Sequence, residues 1–176
     1  MDAQTLRAAQ APLKARYRDD PPAAMTPLHA RATFEDEGVT CTVQGWAGPV
    51  RAGLHEATGG DGSDACSGDQ LLEALVACAG VTLRSVATAM GLSASGTVTA
   101  EGDLDFRGTL GVDREAPVGF RSIELSFELE TDAEQKTVDK LIELTERYCV
   151  VFQTIGRDPE LSVGWSRAAA AEAPST

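Results

Sequence analysis

The sequence predicts a single α+β domain. Three observations carry that prediction. A long apolar helix over about residues 68–90 lies between segments whose hydrophobic residues alternate with period two, and a second helix follows the later pair of strands. A chain of 176 residues, 43% of them hydrophobic, is also long enough for one sizeable core.

The N-terminal segment, residues 3–18, places Leu6, Ala9 and Leu13 at helical spacing, with Lys14, Arg16 and Arg18 toward the end, where cations suit the helix dipole. Asp19-Asp20-Pro21-Pro22 stops this helix, because proline lacks the amide donor. Residues 1–22 therefore read as an N-terminal helical extension and residues 23–168 as the main domain. Leu28 to Phe34 and Val39 to Gln44 alternate on either side of the polar turn Glu35-Asp36-Glu37-Gly38, the pattern of an antiparallel hairpin. Val50 to Glu56 supplies a third strand, and Ala57 to Ser67, rich in Gly, Asp and Ser, a surface loop.

Ser67-Gly68-Asp69-Gln70 has the form of a capping box with Ser67 as N-cap, and Gly91 supplies the stop. Between them, Leu71, Leu72, Leu75, Val76, Val81, Leu83, Val86 and Met90 leave the helix apolar almost all round, which predicts a buried helix. A chain this short covers such a helix most easily when a second subunit contributes, so the pattern predicts an intimate homodimer.

Thr97 to Phe106 and Phe120 to Glu130 alternate with period two, placing Ile123, Leu125, Phe127 and Leu129 on one face. They read as antiparallel strands joined by an exposed loop, Arg107 to Gly119. Thr131-Asp132-Ala133-Glu134 is a second capping box, opening a helix to about Cys149 with Val138, Leu141, Ile142, Thr145 and Cys149 along one inward stripe. A short segment, Val150 to Ile155, leads to a last strand near Leu161 to Ser166, and residues 169–176 form a flexible tail.

Composition narrows the function. A net charge of −12, from 27 acidic and 15 basic residues, disfavours nucleic acid, whose phosphates need clustered cations. The N-terminus lacks the apolar core of a signal peptide, and no stretch approaches the roughly 20 apolar residues that span a bilayer, so a cytoplasmic location without membrane contact is expected. Four cysteines are too few and too spread for a disulfide scaffold. With His29 and His55 the only histidines, and no C-x-x-C or H-x-x-x-H spacing, neither a metal nor another cofactor is predicted.

On position alone, Cys78 in Leu75-Val76-Ala77-Cys78-Ala79-Gly80 reads as a small apolar residue filling space. Its helix N-terminus is about ten residues away, so the dipole does little for it, and a reactive Cys78 requires a nearby cation. Cys149 is equally a core residue by its position, and 71 places of sequence separate it from Cys78, a spacing silent on whether they meet. Cys41 alternates with Val39 and Val43 and reads as packing, whereas Cys66, before the long helix, reads as an exposed thiol.

The segment Ser67-Gly68-Asp69-Gln70-Leu71-Leu72-Glu73-Ala74-Leu75-Val76-Ala77-Cys78-Ala79-Gly80-Val81-Thr82-Leu83 resembles the first-cysteine helix of the OsmC/Ohr family, typically P-x-E-L-L-x-A-A-L-x-x-C. Glu146-Arg147-Tyr148-Cys149-Val150-Val151 resembles its second-cysteine segment, and the order of elements agrees from about Leu28 to Arg167. The resemblance implies an OsmC-like fold, with antiparallel sheets wrapped around two central helices in an intertwined homodimer. It implies that Cys78 is a peroxidatic thiolate, that Cys149 resolves its sulfenic acid, and that a dithiol or dithiol protein reduces the pair. An apolar pocket favours organic hydroperoxides over hydrogen peroxide.

Members of that family orient the thiolate with a glutamate before the first helix and an arginine from an N-terminal strand. Here the turn offers Gly68 and Asp69, and the strands offer Arg31 and Arg51. Asp69 also reads as an acid suited to the helix dipole, and both arginines as surface charge. Val150 stands where proline often follows the second cysteine. Two functions are thus expected: a thiol-dependent peroxidase, or a non-enzymatic dimer binding a small apolar ligand in an inter-subunit pocket.

Overall fold

The computed structural model describes residues 1–34 and 37–167. In chain order its elements are α1 (Ala3–Asp19), β1 (Arg31–Thr33), β2 (Cys41–Gly45), β3 (Gly48–Gly53), β4 (Ala65–Cys66), α2 (Ser67–Met90), β5 (Ser95–Leu104), α3 (Phe106–Thr109), β6 (Phe120–Glu130), α4 (Gln135–Tyr148) and α5 (Val150–Ile155). The fold is α+β, as the periodicities predict. Residues 35 and 36 of the predicted hairpin turn and the predicted tail, residues 169–176, lie outside the described residues.

Helix α1 is capped by the Asp2 carboxylate, which accepts from the Thr5 amide at 2.8 Å, and it buries none of its residues. A 3-10 turn at Pro21–Ala24 ends it where the two prolines remove donors. Strands β1 and β2 pair antiparallel from Arg31 opposite Gln44 to Thr33 opposite Thr42, the predicted hairpin. A tight turn at Trp46-Ala47, with Gly45 opposite Gly48, then starts β3 earlier than the expected Val50. Gly48 holds φ +129°, a conformation open to glycine, which lets the chain reverse there.

The four-stranded sheet is mixed, correcting the expectation of antiparallel sheets: β4 pairs parallel with β3, Ala52 opposite Ala65 and Gly53 opposite Cys66. That pairing also changes how α2 begins. Cys66 is held in the sheet, so the helix starts directly at Ser67 with Cys66 as N-cap, and no side chain caps it. Ser67 and Gln70 therefore do not form the predicted box, and the Gln70 amide nitrogen is buried without a hydrogen-bond partner among the described residues. Thr131 does not cap α4 either. Its hydroxyl donates to the Ser93 carbonyl at 2.8 Å, tying the end of β6 to the turn after α2, and the helix begins at Gln135 instead.

Strands β5 and β6 pair from Ser95 opposite Glu130 to Leu104 opposite Phe120, and direct Val98, Ala100, Ile123, Leu125 and Phe127 at α2. The core forms where this ribbon, α4 and α5 meet one stripe of α2: Leu75, Ala79, Leu83 and Ala87, at steps of four. One cluster joins Leu83, Ala87 and Ala94 to Leu141 of α4; the other joins Leu75 and Ala79 to Cys149. Phe127 packs against both.

Only that stripe of α2 is buried within the chain, against the expectation of burial all round; Val81 is 72% exposed. At 24 residues α2 is also long and apolar enough to cross a membrane by length and composition, which corrects the expectation that no segment reaches that limit. Its place against β5, α4 and α5 is that of a core helix. The last predicted strand is absent: Leu161 to Ser166 is coil, with Leu161, Val163 and Trp165 at least 87% exposed. A strand needs a neighbouring edge to complete its hydrogen bonds, and among the described residues this segment pairs with none.

Candidate active site: two adjoining thiols

Cys78 lies on α2 one turn beyond the buried Leu75, on the flank of the stripe that faces α5. Cys149 is the single residue between α4 and α5. It is fully buried, and its extended backbone lets the two helices change direction. The inward direction predicted for Cys149 is observed, and the question left open by sequence spacing is answered: Cys78 packs against the cluster that holds Cys149, close enough for each thiol to act on the other.

Their acidities are pushed apart. Burial pushes the Cys78 thiol up, but the Val151 amide, the Cys149 thiol, the Val150 amide and the Thr82 hydroxyl all donate toward its sulfur and together hold it below the ordinary thiol value. Cys149 is raised. Burial is the main cause; the Phe152 amide opposes it, donation to Cys78 and repulsion by the Cys78 thiolate add to it, and the Val151 amide opposes it more weakly. Because each proton affects the other, the thiols titrate as a pair.

The first amides of any helix lack intrahelical acceptors. In α5 the first ladder bond runs from the Gln153 amide to the Cys149 carbonyl at 2.9 Å, which leaves the amides of Val150 and Val151 for the Cys78 sulfur. Backbone donors thus lower the Cys78 pKa, where the sequence leads one to expect a nearby cation. The dipole of its own helix is remote, yet backbone donors of a helix distant in sequence reach it. No signal in the sequence marks this, since cysteine is not a favoured N-cap residue.

The candidate orienting groups lie elsewhere in the chain. Arg51, on β3, pairs with Asp64 at 3.0 Å, and Arg31, on β1, is exposed opposite Gln44. Asp69 is exposed in the first turn of α2, nine residues or about 13.5 Å of helix axis before Cys78. The groups acting most on the Cys78 sulfur include none of the three. Cys41 is partly buried on β2, and Cys66 is partly buried rather than exposed, because β4 and the start of α2 hold it. Among the described residues, no three His, Cys, Asp or Glu side chains gather as a metal site would require.

Beside the thiols, a cavity of about 460 Å³ is lined by Leu71, Leu75, Phe120, Ile123, Leu125, Phe152 and Ile155, with Arg121 and Ser122 at one side. Leu75 and Phe152 belong both to its wall and to the packing around Cys149.

The sequence model of the OsmC-like protein family matches residues 60–164, more than half of the chain, with both Cys78 and Cys149 inside the match. The chain belongs to the OsmC-like family. No curated protein matches the sequence significantly. Among solved structures, an OsmC-like protein from Mycoplasma pneumoniae shares the fold at TM-score 0.61 and 17% identity, over 74% of this chain and 88% of that one. An OsmC-like protein of unknown function from Vibrio cholerae gives TM-score 0.58 at 13% identity, over 74% and 94% of the two chains. A protein from Legionella pneumophila described as an organic hydroperoxide resistance protein OsmC gives 0.54 at 18%, over 75% and 90%. Family membership and the adjoining thiols are consistent with a redox-active OsmC-like protein.

Proposed function

We propose that this OsmC-like protein is a thiol-dependent peroxidase for organic hydroperoxides. The observation that carries the reading is the contact between a half-buried thiol held toward its anion and a buried one held in its protonated form. The Cys78 thiolate attacks the distal peroxide oxygen, the O–O bond breaks, and the departing alkoxide takes a proton from solvent to leave as an alcohol. Cys78 is then a sulfenic acid. Cys149 attacks its sulfur, the S–O bond breaks, and hydroxide leaves as water with the Cys149 proton, so that a disulfide remains. A dithiol or dithiol protein supplies the two electrons that restore both thiols. Such reductants belong to a cytoplasmic setting, which the reading includes.

The reading also includes a homodimer. Support comes from the exposed flank of α2 at Val81 and from the C-terminal segment, whose Leu161, Val163 and Trp165 alternate in solvent. Apolar surface of this kind marks an interaction site. A second copy would complete both the cover of α2 and the neighbour that a terminal strand needs.

A second reading, a ligand-binding OsmC-like dimer without turnover, draws on the apolar cavity and on the distance of Asp69 from Cys78. Peroxide consumption separates the two. With cumene hydroperoxide and dithiothreitol, wild type should turn over, Cys78→Ser should be inert, and Cys149→Ser should stop after one oxidation. A folded, reduced wild type that consumes no peroxide would overturn the peroxidase assignment in favour of ligand binding.

A further inference from the structure

Charge is unevenly distributed along the chain. Residues 3–18 hold four cations, Arg7, Lys14, Arg16 and Arg18, and no acid; the rest holds 11 basic and 27 acidic residues, a net charge of −16. All four cations are exposed, and none makes an ion pair among the described residues. Arg7, Lys14 and Arg18, at steps of seven and four, share one stripe of α1 about 16.5 Å long. The helix packs on α2 and partly buries only Ala3, Leu6 and Gln10, so the stripe of cations is left to solvent.

The outer face of the β5–β6 ribbon is its counterpart. Val98, Ala100, Ile123, Leu125 and Phe127 point at α2, and the alternation puts Glu101, Glu124, Glu128 and Glu130 on the other side, all exposed. None of the four is in an ion pair among the described residues. Glu101 stands directly opposite Glu124, a like-charge pair that destabilises the ribbon. Glu124 to Glu130 spans about 20 Å of strand, close to the length of the α1 stripe. Arg121, the one cation of the two strands, stands beyond this row in a bulge, where Asp103 pairs with Ser122 and Leu104 with Phe120.

In its own chain α1 lies against α2, on the inner side of the ribbon, and the row of glutamates is turned away from it. A second copy presents that row in the open. We infer that α1 of one copy docks across the outer ribbon face of a second copy, its stripe of cations lying along the row of glutamates. The match in sign and length supports this occupant, and a cation over Glu101 and Glu124 relieves their repulsion. A membrane surface suits the helix less, because Leu13 and Tyr17 are its only exposed large apolar residues. Duplex nucleic acid, with one charge per about 1.7 Å, repels the acidic remainder of the chain. Helix and ribbon are different surfaces, so the contact is heterologous and joins copies in addition to any pairing through the apolar flank of α2.

A carbodiimide joins a lysine amine to an adjacent carboxylate as an amide, itself taking up the water released, and Lys14 lies within the stripe. Isotope-labelled and unlabelled chains are mixed in concentrated salt, where the screening length of about 3 Å separates exposed charges, then returned to low salt and cross-linked. Mass spectrometry should find Lys14 linked to Glu101, Glu124 or Glu128 in peptides that combine a labelled and an unlabelled chain. Arg7→Glu with Arg18→Glu, which keeps Lys14, should cut these mixed links about tenfold, because two exposed attractions become repulsions. Arg114→Glu with Arg157→Glu, the same change of charge elsewhere, should leave most of them. In light scattering at low salt, the first pair of substitutions should lower the number of chains per particle to the value that wild type shows in concentrated salt. Lys14 links confined to one chain, links to acids off this row, no links, or mixed links that survive Arg7→Glu with Arg18→Glu would each overturn the inference. An unlinked wild type that pellets with phosphatidylglycerol vesicles would overturn it in favour of a membrane surface. Peroxide turnover enters none of these readouts, so the inference and the peroxidase reading stand or fall separately.

Discussion

Replacing Val150 by proline isolates what the α5 amides contribute to Cys78. Cys149 already holds φ −71° and ψ 108°, the extended geometry that a residue before proline prefers. Val150 is the first residue of α5, a position where proline is well accommodated. Its amide makes no ladder bond, so the substitution removes a donor to the Cys78 sulfur and nothing else of the backbone. A hydrogen bond to a charged acceptor is worth about 1.5–3 kcal/mol. The lower end applies, because Cys78 is only half-buried and the Val151 amide, the stronger donor of the two, remains.

A change of about 1.4 kcal/mol is tenfold in an equilibrium, so Val150→Pro should hold about tenfold less Cys78 thiolate at neutral pH. Intrinsic nucleophilicity rises with the pKa, with a Brønsted coefficient of about 0.4–0.5, and returns roughly threefold. The net fall in alkylation by iodoacetamide is therefore roughly threefold to fourfold, read at the Cys78 peptide by mass spectrometry. Val150→Ala keeps the amide and should match wild type. If Val150→Pro has the wild-type circular dichroism spectrum and alkylates just as fast, the amides do not set the reactivity of Cys78.

As pH rises, Cys78 should be alkylated first, below the ordinary thiol range, and Cys149 only above it; peptide-resolved labelling with Cys149 reacting first would contradict the opposed acidities. In stability terms, the lowered Cys78 contributes above its unfolded pKa and loses that contribution as pH falls through the folded value. The raised Cys149 contributes below its unfolded pKa and loses it as pH rises through the folded one. Leu75→Ala should lower stability by about 2–5 kcal/mol, read as a urea midpoint at fixed protein concentration, because Leu75 is buried between Ala79 and Cys149. A loss below about 1 kcal/mol would mean that the site collapses to fill the gap. Val81→Glu should convert the proposed dimer to monomers in light scattering, and a dimer that persists would remove α2 from the interface.

The sequence by itself determined the α+β class, the positions of α2, α4, β5 and β6, and the inward direction of Cys149, because a period of two or of 3.6 is a local property that survives in any packing. Glycine stops were legible for the same reason, Gly91 ending α2 in a left-handed conformation. Capping was less so: Ser67 and Thr131 had the right spacing, but β4 and the Ser93 carbonyl claimed the adjoining backbone and the Thr131 hydroxyl. Alternation at Leu161, Val163 and Trp165 described a strand's side chains without supplying an edge for its backbone.

Only the tertiary structure decided that Cys78 meets Cys149, and that the Val150 and Val151 amides reach the Cys78 sulfur and hold it toward its anion. It alone placed Arg121 at the cavity, through a bulge that no alternation pattern encodes. The physical reason is common to all three. Hydrogen bonds and charges act over a few ångströms of space, and which groups share that space is set by how α2, α5 and the β5–β6 ribbon pack, not by their separation along the chain.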